Sequence, residues 1–192
     1  SRKSAGPGTS LDPGSRRSMK NNIFYTDTEN KDLRHASFDG KQWRYEVVDG
    51  HGDDVPDYKA SSRRNTASDV SIANACAVTP AGLQIFYRDE SQGILLGAAL
   101  SKSGWIYEIV DGDRTSDNRT TGDVGFSLSA TSSGKSVYLL YDSVLTLSSS
   151  NFATQGEVRL AKRNSIFPED WRYSTLDGPE NGVAVAGYDV SI

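Results

Sequence analysis

The stretch Trp43-Arg44-Tyr45-Glu46-Val47-Val48-Asp49-Gly50 decides the fold, because the chain uses it three times. It returns as WIYEIVDG at 105–112 and as WRYSTLDG at 171–178. In each copy Tyr follows Trp by two positions, Asp by six and Gly by seven. Apolar and aromatic side chains alternate along the octet, which is the period of a strand with one buried face. Asp-Gly then closes it, and glycine's access to positive φ makes that dipeptide a turn signal.

Outward from the octet the repeat continues. Upstream of the first copy lie IFYTD (23–27) and DLRHAS (32–37). Upstream of the second lie IFYRD (85–89) and ILLGAA (94–99). Upstream of the third lie LLYD (139–142) and EVRLAK (157–162). Asp27 precedes Trp43 by 16 positions and Asp89 precedes Trp105 by 16. Asp142 precedes Trp171 by 29, an insertion of 13 placed around Leu145–Thr154. Each copy therefore reads as three short strands joined by turns. A fourth strand precedes two of them: Asp69–Ile72, 20 before Asp89, and Asp123–Phe126, 19 before Asp142. The first copy has no such segment upstream, but the last four residues, Asp189–Ile192, repeat Asp69–Ile72.

Repeats of this kind point to an all-β chain, a β-propeller of three four-stranded blades over 21–192. The blades are expected at about 21–50 plus 183–192, 66–112 and 121–178. The C-terminal strand is expected to complete the first blade, in its own chain or in a second one. Propellers have four to eight blades. Three blades therefore imply six by dimerisation, or a piece of a larger propeller.

Composition narrows the function. The chain has 192 residues, with 21 Lys and Arg against 25 Asp and Glu, a net charge of −4. That balance argues against general nucleic-acid binding, which needs a basic footprint. No apolar run approaches a membrane span, and no secretory leader is recognisable. Residues 1–20 are rich in Ser, Gly, Pro and Arg and read as a disordered arm. Cys76 is the one cysteine, so no internal disulfide can form. Its setting, Ile72-Ala73-Asn74-Ala75-Cys76-Ala77-Val78, predicts a buried thiol.

The run IFY-x-D…LRHASFDG-x-x-W resembles the blade repeat of six-bladed fucose-binding lectins. Gly122-Asp123-Val124-Gly125, Tyr141-Asp142, Gly156-Glu157-Val158 and Trp171 resemble a broader bacterial propeller repeat. The resemblance covers nearly all of 21–192. It implies sugar held between blades by an Arg, an acid and an aromatic. The implied ligand is a carbohydrate or glycoprotein, and the implied setting is secreted or extracellular.

The candidate ligand-binding residues are Arg88, Glu90, Trp105, Glu108, Trp43, His35 and Arg34. Arg88 replaces Thr26 and Tyr141 at its repeat position, so the fold does not require it there. Trp43, Trp105 and Trp171 share one repeat position, as do Tyr45, Tyr107 and Tyr173. They read as inter-blade packing or as sugar platforms. Asp27, Asp89 and Asp142 read as acceptors of turn N–H groups. The acidic stretches 49–57 and 111–123, with Asp53, Asp54, Asp113 and Asp117, raise calcium as a candidate cofactor. Asn118-Arg119-Thr120 is a glycosylation sequon. There is no GxSxG or HExxH motif. The expected role is binding rather than catalysis, with protein interaction as one alternative and a glycoside hydrolase-like enzyme as another.

Overall fold

The computed structural model describes residues 21–50, 64, 66, 69–80, 82–113, 119–120, 122–150, 153–164, 171–187 and 189–192. The arm 1–20, the acids Asp53, Asp54, Asp57 and Asp117, and Asn118 of the sequon lie outside the described residues. Every named strand falls in one of three antiparallel sheets, and no α-helix occurs among the described residues. The first sheet is β1 (Asn22–Asp27), β2 (Asp32–Phe38) and β3 (Trp43–Asp49). The second is β4 (Val70–Thr79), β5 (Gly82–Asp89), β6 (Ile94–Ser101) and β7 (Gly104–Asp111). The third is β8 (Asp123–Ser133), β9 (Ser136–Leu147), β10 (Ala153–Arg163) and β11 (Arg172–Asp177). Each sheet is a meander in which neighbours in sequence are neighbours in space. A ring closed by these three sheets is not seen.

The burial patterns follow from how the sheets stack. Leu33 and Val48 of the first sheet pack with Val70, Ile85, Tyr87, Leu96, Ala98 and Trp105 of the second. Phe86, Leu95 and Val110 of the second pack with Val124, Val137, Leu139, Tyr141 and Trp171 of the third. Odd and even positions of β5 thus face opposite neighbours. A sheet covered on both faces needs a continuous apolar run, and β6 supplies one in ILLGAALS. The outer sheets have one covered face and keep their alternation.

The two seams between sheets are fastened alike. Tyr87 Oη of the second sheet donates to Asp49 Oδ2 of the first at 2.7 Å. Tyr141 Oη of the third donates to Asp111 Oδ2 of the second at 2.5 Å. Both hydroxyls sit well above their ordinary pKa, because burial and the facing carboxylate oppose the phenolate. A second tyrosine repeats the move: Tyr107 Oη donates to the Val48 carbonyl at 2.5 Å, and Tyr173 Oη to the Val110 carbonyl. Burial pushes the Tyr173 hydroxyl up to about 12. A hydrogen bond to a charged acceptor contributes about 1.5–3 kcal/mol, so the Tyr–Asp pairs are a substantial part of each seam.

Several expectations need correction. Pairing sets Tyr141 opposite Arg159, as Tyr25 is opposite Arg34 and Tyr87 opposite Leu96. Tyr141 therefore matches Tyr87, and Asp142 matches Arg88 rather than Asp89. The repeat is anchored by the buried tyrosine, which moves the aspartate by one. The insertion near Leu145–Thr154 mostly lengthens the β9–β10 hairpin, with pairing out to Ala153↔Leu147. Cys76 is exposed, not buried; β4 turns its Ala77 side inward instead.

Of the two places expected for the C-terminal segment, the first sheet of its own chain and that of a second chain, the former does not hold. Within this chain it does not complete the first sheet. It runs along the third, where Ala186 N donates to the Gly156 carbonyl at 3.2 Å. Val190 N and Ile192 N donate to Ser127 Oγ and Ser129 Oγ of β8 at 2.9 and 3.1 Å.

Candidate functional site

Five of the seven sequence candidates fall in three places. His35 and Trp105 meet at the first seam, with ring centroids 5.5 Å apart and edges facing planes. His35 also stacks on Phe24 at 4.8 Å. Its Nδ1 lies 2.7 Å from Glu46 Oε1 and its Nε2 lies 2.8 Å from Asn22 Oδ1. His35, Glu46 and Trp105 are all buried. Both imidazole nitrogens are occupied, so this cluster fastens the seam.

Glu108 belongs to the matching cluster at the second seam. Arg163 Nη1 donates to its two carboxylate oxygens at 2.7 and 2.6 Å. Arg163 Nη2 donates to Gln84 Oε1 at 2.7 Å, and the guanidinium lies 4.3 Å from the Trp171 ring. Burial pushes the Glu108 carboxyl up, against the pull of Arg163. Glu46 and Glu108 hold one repeat position, three after the Trp. Glu46, Arg163 and Gln84 were missed from sequence. Arg163 stands where the other copies have Phe38 and Leu100, and that departure was the available signal.

Arg88 and Glu90 form the third place. Arg88 is 2% exposed. Its Nε donates to Glu90 Oε2 at 2.9 Å and its Nη1 to the Val124 carbonyl at 2.5 Å. Its guanidinium covers the Phe126 ring at 3.7 Å, and Phe126 itself is 46% exposed. Arg88 therefore ties β5 to β8 and presents an aromatic ring to solvent. Trp43 and Arg34 remain apart from all of these on the first sheet. Trp43 is exposed beside Phe38, and Arg34 Nη2 pairs with Asp27 Oδ2 at 2.9 Å.

Next to Arg88 lies an open cleft of about 380 Å³, lined by Gln92, Ile94, Ile109, Gly112, Asp113, Gly122 and Asp123. Its floor is the crossing of the second sheet onto the start of β8. Asp123 Oδ2 lies 4.0 Å from Arg88 Nη2, which links the cleft to the Arg88–Glu90 pair. Asp113 accepts from Arg119 Nη1 at 2.6 Å. Among the described residues no three His, Cys, Asp or Glu side chains are grouped to hold a metal ion. None of the described helical segments is long and apolar enough to cross a membrane.

The turn aspartates behave as read for two copies. Asp27 Oδ1 accepts from Glu29 N at 3.1 Å and Asn30 N at 3.2 Å, and Asp89 Oδ1 from Ser91 N at 3.0 Å. The Asn30 amide and backbone hold the Asp27 carboxyl below its ordinary value. Asp142 instead accepts from Ser127 N at 2.8 Å, and burial raises its pKa.

Comparison with known proteins finds no matching family model, no matching curated protein and no matching solved structure.

Proposed function

We propose that this chain is a carbohydrate-binding module of propeller type that binds without catalysing a reaction. The observation that carries the reading is the polar cleft at the second seam. Its volume of about 380 Å³ falls in the usual range for small-ligand sites. Gln92, Asp113 and Asp123 offer acceptors and donors for sugar hydroxyls, while Ile94 and Ile109 can meet the C–H face of a pyranose. The exposed Phe126 ring beside it, braced from behind by Arg88, suits stacking on such a face. Three meander sheets stacked with the same Tyr–Asp fastening at each seam support the propeller reading.

A glycan-array screen of the chain, run with and without calcium, tests this. The expected result is a defined sugar class whose signal falls at least tenfold in Asp123→Asn and Gln92→Ala. Both positions line the cleft and neither takes part in the Tyr–Asp fastening of a seam. No binding to any printed sugar, at a density that allows avidity, overturns the carbohydrate reading. Binding that survives both variants moves the site elsewhere.

A further inference from the structure

The two seams inside this chain leave one unmatched half on each outer sheet, and the halves complement each other. At each internal seam, a Tyr from one sheet bonds the octet Asp of the sheet before it. Asp49 and Asp111 are used in this way, and Asp177 is not. Tyr87 and Tyr141 are used, and among the described residues Tyr25 is not. Asp111 accepts from Gly112 N, Thr120 N, Tyr141 Oη and Arg159 Nε. Among the described residues Asp177 accepts only from Gly178 N, at 2.9 Å. Arg159 matches Arg34 in the repeat, each lying opposite its sheet's buried-type tyrosine. Arg159 Nε donates to Asp111 Oδ2 at 3.0 Å, whereas Arg34 Nε is buried with no hydrogen-bond partner among the described residues.

Apolar exposure divides in the same way. Val48 and Val110 are fully buried, and their counterpart Leu176 is 50% exposed. Trp105 and Trp171 are buried, and their counterpart Trp43 is 42% exposed. Ile85 and Leu139 are fully buried, and their counterpart Ile23 is 51% exposed. The first sheet thus shows Ile23, Trp43 and Tyr45, and the third shows Leu176 with the free half of Asp177.

The C-terminal segment has the register of the strand that the first sheet lacks. Val70 N bonds the Lys31 carbonyl, Val124 N the Gly93 carbonyl, and Ala186 N the Gly156 carbonyl. Gly187 follows with φ 103°, as Gly125 follows Val124 with φ 82°. Residues 185–187 and 189–192 therefore occupy, beyond the third sheet, the place that β4 and β8 occupy beyond the first and second. In the complete sheets that strand pairs Asn74↔Tyr87 and Leu128↔Tyr141. The same register sets Val190 against Tyr25 and Ile192 against Ile23.

The geometry points to a head-to-tail seam between two copies of this chain. The third sheet of one copy receives the first sheet of the other. Tyr25 Oη and Arg34 Nε donate to Asp177 of the second copy, and Tyr45 Oη donates to its Leu176 carbonyl. Residues 189–192 of the second copy pair along β1. The interface is heterologous, so it must close or propagate. Three sheets per copy reach the four-to-eight range of propellers only as six, so closure is at two copies. That closure rests on the propeller reading above; the seam itself does not.

Sedimentation velocity of the 192-residue chain is the test. The expected species has twice the 20.8 kDa mass of one chain. Ile23→Asp and Leu176→Asp change exposed residues, so circular dichroism should show both folded. Each alone should sediment as a single chain, because both seams of its pair carry the lesion. Mixed in equal amounts they should pair, since one of the two seams between them is intact. A wild-type chain that remains single at 100 μM overturns the seam. Variants that remain paired, or a mixture that fails to pair, overturn its head-to-tail form. A species larger than two chains overturns closure at two copies.

Discussion

Replacing Asp111 by Ala probes the fastening that repeats through the fold. The side chain is fully buried at the second seam. It accepts from Tyr141 Oη at 2.5 Å, Arg159 Nε at 3.0 Å, and the Gly112 and Thr120 amides at 2.8 Å each. Loss of the carboxylate leaves the buried hydroxyl and two amides unsatisfied, at about 1–3 kcal/mol for each group. Breaking a buried ion pair from one side costs about 3–5 kcal/mol. Arg159 keeps Glu157 at 2.8 Å, which places its share at the low end. The four losses share one carboxylate and are not additive, so the expected total is about 4 kcal/mol. For a chain of this size that is a fall in Tm of about 8–16 °C. Urea unfolding followed by tryptophan fluorescence reads it directly, because Trp171 sits in the same seam. Arg159→Met should then cost less in the Asp111→Ala background than in wild type. A loss below about 1.5 kcal/mol, or no coupling between the two sites, refutes the view that this carboxylate organises the seam.

Asp142 has its pKa raised by burial, so the folded chain binds more protons than the unfolded one just above the ordinary value of 3.8. Stability from this group therefore falls as pH rises through that window. Asp142→Asn should be more stable than wild type at pH 7, with the difference vanishing near pH 3 in urea titrations. Gly112→Ala should lose about 2 kcal/mol in the same unfolding assay, because Gly112 has φ 94° and a Cβ there would lie 2.8 Å from Val124 Cγ2. The exposed Cys76 thiol should react with a thiol reagent in the native protein without denaturant; reaction only after unfolding would contradict its placement.

The strand content was legible from sequence because it is local. The octets Trp43–Gly50, Trp105–Gly112 and Trp171–Gly178 end as β3, β7 and β11, and period-two alternation suffices to find them. What escaped was contact between sheets. Alternation marks Glu46 and Glu108 as one position without saying that His35 faces the first and Arg163 the second. The aspartate of the third copy was misaligned because the residue held constant is Tyr141, whose hydroxyl reaches Asp111 across 30 positions of sequence. The C-terminal DVSI matched Asp69–Ile72 in letters. Backbone hydrogen bonds instead set Ala186 in the place of Val70, because Ala186 N is the donor that reaches the Gly156 carbonyl of β10. Of the candidate ligand residues, Arg88 and Glu90 were singled out because Arg88 breaks the repeat, and the structure sets them beside the cleft. The cleft itself was invisible, since Gln92, Asp113 and Asp123 come from a turn, a loop and the start of β8.

The double cover of the middle sheet has a bearing on how the molecule opens. Its amides are shielded by a neighbour on each face, and those of the outer sheets by one. Local opening free energy should therefore peak in β5 and β6 and decline toward β1 and β11, as in arrays whose units contact only their neighbours. Amide hydrogen exchange would register this as a slow centre with faster flanks. Joining two copies end to end would give every sheet two neighbours and flatten that profile, so protection kinetics carry a signature of assembly written along the backbone itself.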